Sequence, residues 1–173
     1  KDACQLKSVY RVLGIKDENM EFHYDIDYSD AELGKNQAAF SFAIKEISSS
    51  KGKANLVFVT VRGTPLQPNE WVSNLNVSDT VKTAAKYHEG FYIAERQVHT
   101  ALMYFLLKKQ ISPFETFFLI TGHSRGGAIT NLLGADLADS GIFDTEKLYT
   151  YTFASPNVSI DDSTEDKKYN FIW

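Results

Sequence analysis

The sequence predicts an α/β fold: a mainly parallel sheet with flanking helices, and antiparallel strands at its N-terminal edge. Three observations carry this expectation. Short runs of strand formers, "NLVFVTV", "TFFLIT" and "KLYTYTFA", alternate with helical patterns through the middle and C-terminal parts. Two half-exposed strand patterns come earlier, one of them alternating apolar and polar residues. The composition, 43% hydrophobic and 13% aromatic over 173 residues, is ample for one packed core.

Taken in order, residues 3–13 place Leu6, Val9 and Leu13 at helical spacing, and Gly14 supplies a stop. Residues 20–28, "MEFHYDIDY", put Phe22, Tyr24, Ile26 and Tyr28 on one face of a strand, and 39–47, "AFSFAIKEI", is a second strand. A polar turn at 48–54, "SSSKGKA", precedes strand 55–61, whose residues are apolar on both faces, as in the middle of a sheet. Residues 62–88 are irregular, with Pro65 and Pro68 and then Trp71, Val72 and Leu75 in a short helical pattern; the length marks a functional loop. A long amphipathic helix follows over 91–107, with Phe91, Ala94, Val98, Ala101, Leu102 and Phe105 in one stripe. Strand 116–121, a helix over about 126–139 with Ile129, Leu132, Leu133 and Leu137 inward, and strand 147–154 complete the pattern; "YNFIW" (169–173) starts one more strand. No internal repeat or linker divides the chain, so 1–173 is expected to be one domain, incomplete because it stops inside a strand.

Charge and cysteine content exclude several functions. The 18 basic residues are dispersed against 22 acidic ones, a net charge of −4, so nucleic acid is not an expected partner. Cys4 is the only cysteine, which rules out an intramolecular disulfide and any Cys cluster for zinc. No apolar run approaches the roughly 20 residues of a transmembrane helix. The chain begins at Lys1 without a signal core, which leaves its localisation unknown.

The chemistry is concentrated in "ITGHSRGG". Gly122, Ser124 and Gly126 fill the pattern GxSxG between a strand and a helix, the context of a nucleophile elbow. A serine there is forced into a strained backbone conformation. Glycines two residues to either side are needed because a Cβ would collide with the adjacent strand and helix. The hydroxyl is carried to the carboxyl edge of the sheet, where the helix N-terminus favours a developing oxyanion.

Five ordered segments, "VTVRGT" (59–64), "EWVSNL" (70–75), "HEGFY" (88–92), "ITGHSRGGAITNLL" (120–133) and "YTYTFASPNV" (149–158), together resemble the class 3 lipase family of α/β-hydrolases over about residues 37–173. The resemblance implies a carboxylic ester hydrolase that forms an acyl-enzyme on Ser124, with an ester or lipid substrate and no metal or organic cofactor. It implies an oxyanion hole from Thr64 and the backbone N–H of Arg125, two preorganised donors each worth on the order of 10²–10³ in rate. The Arg125 side chain is expected to be a surface or ion-pair group. Residues 65–77 occupy the place of the family's lid, with Trp71, Val72 and Leu75 as its candidate apolar face; a fixed helix packed on the core accounts equally well for them.

A serine nucleophile needs a base and an orienting acid, which in α/β-hydrolases follow it in the chain. No histidine follows Ser124: His23, His88, His99 and His123 all precede it. His123 is expected to pack into the structure, His99 to lie on the polar side of its helix, His88 to be structural and His23 to sit on an edge strand. Asp161 and Asp162 come too early for the family's acid. The expectation is therefore a domain truncated before the triad Asp and His, inactive as it stands, whose open sheet edge would need an oligomer or partner to cover it. The alternative is a non-catalytic hydrolase-like module for binding or assembly.

Overall fold

The computed structural model describes residues 2–25, 37–49, 52–63, 89–156 and 158. Ile26, Tyr28, Thr64, the lid candidates Trp71, Val72 and Leu75, His88, Asp161, Asp162 and the strand expected at 169–173 lie outside these residues. Among the described residues, three helices, α1 (Asp2–Val12), α2 (Glu89–Lys109) and α3 (Arg125–Asp139), flank a five-stranded sheet. Its strands are β1 (Met20–His23), β2 (Phe40–Ser49), β3 (Gly52–Val61), β4 (Phe117–His123) and β5 (Leu148–Phe153), in spatial order β1-β2-β3-β4-β5. β1, β2 and β3 pair antiparallel, and β3, β4 and β5 pair parallel. The sheet is thus mixed, with its antiparallel part at the N-terminal edge as the sequence predicts.

The change of hand in pairing follows from the connections. A two-residue link between Ser49 and Gly52, which pair directly, forces β2 and β3 antiparallel. The ladder therefore runs into both ends of the turn expected over 48–54. Gly52 opens β3 at φ +117°, a backbone conformation that favours glycine, and Lys53 pairs with Glu46 at 2.7 Å close by. Between β3 and β4, and again between β4 and β5, a helix returns the chain to the same end of the sheet, and the strands run parallel.

Period-two alternation sorts the strand residues between two unequal faces. Phe40, Phe42, Ile44, Val57, Val59, Val61, Phe118, Ile120 and Leu148 face α2 and α3 in the main core. There they meet Ala94, Val98, Leu102, Phe105 and Leu106 of α2 and Ile129, Leu133 and Leu137 of α3. The apolar stripes read from the sequence for α2 and α3 are the buried or partly buried ones, whereas of the N-terminal stripe Val9 and Leu13 are exposed and Tyr10 is the residue turned inward. The opposite face is less covered: α1 packs there only over the antiparallel end, through Tyr10, Leu6, Ile15, Met20, Phe22, Ala43 and Phe58. β3 is therefore buried on one face and half-buried on the other, not enclosed on both. Further along, Tyr149, Tyr151 and Phe153 of β5 are exposed among the described residues.

Tyr10 anchors α1 with a polar contact inside this smaller core. Its hydroxyl lies 3.0 Å from both Ser41 Oγ and Thr60 Oγ1, and burial pushes the phenol pKa up, keeping the ring neutral. Tyr10→Phe strands two hydroxyls in a closed space and is expected to cost about 1–2 kcal/mol. Urea unfolding of the full-length protein measures it; a wild-type midpoint would show that the two hydroxyls satisfy each other.

Candidate active site

β4 ends at His123 and α3 begins at Arg125, so Ser124 alone makes the corner. Its backbone stands at φ 53°, ψ −127°, a sparsely populated region for a residue with a Cβ. Neighbouring backbone holds it there. The Ser124 N–H donates to the Phe153 carbonyl at the end of β5 (2.8 Å), and its carbonyl accepts from Ala128 N–H (3.1 Å), starting the helix.

Three glycines make room for this corner by close approach. A Cβ on Gly122 would fall on the Gly126 carbonyl group, and one on Gly126 would stand 2.5 Å from the Val61 carbonyl oxygen. The first collision is with α3 and the second with β3, the pair of obstructions expected from the sequence. Gly63, at the exit of β3, is as tightly placed: its Cβ would lie 2.7 Å from the His123 carbonyl oxygen and 3.6 Å from Ser124 Cβ. The chain leaving β3 thus passes directly beside the serine, and Thr64, the next residue, lies outside the described segment.

Ser124 sits at the carboxyl edge of the parallel strands and is only 5% exposed. Among the described residues its hydroxyl makes no hydrogen bond. Arg125 opens α3, so its N–H lies at the helix N-terminus, where the first amides are not consumed by the helical ladder and the dipole is positive. Its side chain also reaches a distant backbone segment. Arg125 Nη1 donates to the Gln37 carbonyl at 2.6 Å, tying the elbow to the segment entering β2. A guanidinium with several donors is suited to such a backbone tether.

None of the described histidines, His23, His99 and His123, bonds Ser124. His23 is on the edge strand as expected, stacked on Phe40 with centroids 4.4 Å apart and hydrogen-bonded to Glu21 (2.9 Å). His123 is exposed rather than packed inward, because β4 turns it to the side opposite the α2–α3 core. His99 does not lie on the polar side of α2. It faces α3, with Nδ1 2.5 Å from Asp136 Oδ2, in a cluster that also holds buried Glu95. Burial first, and the Asp136 charge second, raise the Glu95 pKa to about 7, against the pull of Arg96. Sequence reading missed this cluster, although Glu95 and His99 at i, i+4 share a helix face.

The family model described as Lipase (class 3) matches residues 58–169, well over half the chain and spanning the β3 exit, the elbow and β5. The protein belongs to the class 3 lipase family. This is a family of lipase-type α/β-hydrolases, and the described sheet with its flanking helices has that fold. The chain is similar to the triacylglyceride lipase of Rhizomucor miehei at 22% identity and TM-score 0.59, over 90% of this chain and 56% of that one. It is also similar to the native Rhizomucor miehei lipase propeptide complex at 22% identity and TM-score 0.56, over 90% of this chain and 47% of that one. These likenesses concern the fold. The chain spans about half the length of these solved lipases, and no curated protein matches it.

Proposed function

We propose that this chain carries the nucleophile half of a serine carboxylic ester hydrolase, with Ser124 forming the acyl-enzyme. The observation that supports the reading best is the strained Ser124 corner, packed against the exit of β3 through Gly63. Attack of Ser124 Oγ on an ester carbonyl places negative charge on the carbonyl oxygen. In the proposal the N–H of Arg125, at the head of α3, and Thr64, one residue past Gly63, hold that oxygen. Low exposure around Ser124 strengthens such donors by excluding water. Trp71, Val72 and Leu75 are proposed as the apolar face of a lid over the site. The substrate is an ester or lipid, and hydrolysis on this plan calls for no cofactor.

The base and acid are assigned to a continuation of the chain beyond Trp173, with residues 1–173 as one part of a larger hydrolase domain. Two facts favour this: the chain spans about half of the solved lipases it matches, and no described histidine bonds Ser124. The test is labelling by a fluorophosphonate probe. The protein with its downstream residues is expected to react and Ser124→Ala not to, whereas residues 1–173 alone should stay unlabelled. Labelling that survives Ser124→Ala removes this nucleophile. Failure of the longer wild-type protein to label or to hydrolyse any ester would favour a non-catalytic binding or assembly module, the reading that the histidine positions support.

A further inference from the structure

We propose that Glu95, His99 and Asp136 form a structural site for a divalent cation of the zinc class, clipping α2 to α3. Glu95 and His99 are one turn apart on α2, and Asp136 faces them from α3; one donor atom of each lies within 4.8 Å of the others. Nδ1 of His99 is 3.8 Å from Glu95 Oε1 and 2.5 Å from Asp136 Oδ2. Tetrahedral ligands about 2.1 Å from a zinc ion are about 3.4 Å apart, so small side-chain rotations bring the three onto one ion. A donor set of one imidazole and two carboxylates suits a borderline ion.

A second, independent observation points to a ligand. Glu95 is 1% exposed, and its Oε1 has no hydrogen-bond partner. Buried carboxylates are normally paired or bound to metal, because an unpartnered one bears the full cost of desolvation. Glu95 also lines a cavity of about 60 Å³ with Tyr92, Leu132, Ala135, Asp136 and Asp139, which leaves space beside the donors for coordinated water. Arg96 is the competing cation. Its Nη1 donates to Asp136 Oδ2 at 2.8 Å and lies 3.2 Å from His99 Nδ1, yet no hydrogen bond joins it to Glu95. With 44% of its side chain exposed, Arg96 can swing outward and release both donors.

The site is structural in character. Asp136 is three turns along α3 from Ser124, or about 18 Å at the helical rise per residue, too far for the ion to touch a reacting ester. Zinc added to full-length protein stripped with a chelator is expected to bind once per chain by titration calorimetry and to raise the thermal midpoint. Glu95→Gln, which keeps the side-chain shape, should weaken binding by at least about tenfold. Arg96→Ala should strengthen it, a response that a merely structural ion pair would not give. Absence of saturable zinc binding, or wild-type affinity in Glu95→Gln and His99→Ala, overturns the proposal. Weaker binding in Arg96→Ala does so as well.

Discussion

Gly122→Ala is expected to damage the stability of the fold and the reactivity of Ser124 together. The added Cβ meets the carbonyl carbon and oxygen of Gly126 and lies 2.9 Å from the Gly127 nitrogen. All three are backbone atoms inside a helix, so no side chain can turn aside to relieve the contact. Relief requires α3 to shift off the sheet, and with it the packing of Ile129, Leu133 and Leu137 in the main core. A cost at or above about 3 kcal/mol follows, the upper end for overpacking, because close packing transmits the displacement. The same shift moves the Arg125 amide relative to Ser124, so fluorophosphonate labelling of the full-length protein should fall even where the variant remains folded. Gly141→Ala is the control. It has φ +71° and open space around it, and should lose only about 1–2 kcal/mol from backbone strain, with labelling unchanged. Urea unfolding and probe kinetics on both variants make the comparison. Equal stabilities would mean that α3 is not clamped through Gly122.

This contrast shows which features of the fold the sequence could announce. The elbow was legible because its constraints are local: a strand, one strained residue and a helix occupy consecutive positions, and only glycine satisfies the contacts at 122 and 126. The buried stripes of α2 and α3 were legible for the same reason, since helical periodicity is a property of neighbouring residues. The hairpin was harder. Polar residues 48–54 read as one long turn, yet paired strands carry polar residues where both faces meet solvent, and the ladder runs on to Ser49 and Gly52.

Features that depend on distant partners were misread or missed. The apolar content of β3 suggested burial on both sides, but α1 reaches only the antiparallel end of the second face. The place of His123 next to the serine suggests an inward side chain, whereas strand alternation turns it outward. The local pattern puts His99 on the polar side of α2, because the residue that engages it, Asp136, is on another helix and leaves no mark there. The Arg125 tether to Gln37 likewise joins segments far apart in the chain. In each case a contact across the fold decided the environment of a side chain whose sequence neighbours said little.

Glu95→Gln is expected to stabilise the chelator-treated protein at alkaline pH and to leave it unchanged in acid. Burial and the Asp136 charge raise the Glu95 pKa from 4.5 to about 7. Below the unfolded value, both states hold the proton and the glutamate costs nothing relative to glutamine. As pH rises from 4.5 toward 7, the unfolded chain releases a proton that the native state retains, so the wild type loses stability across this window. Above about 7 the loss levels off. The full shift corresponds to roughly 3 kcal/mol, and relaxation around the ionised group reduces the expected difference to about 2 kcal/mol. Arg96, His99, Asp136 and Asp139 stand around the same carboxyl group and are common to both proteins. Unfolding by urea at intervals from pH 4 to 8 reads the gap directly. A difference that stays constant with pH would mean that Glu95 ionises freely in the native state, and a variant less stable than wild type at pH 8 would mean that the carboxylate has a protein partner there.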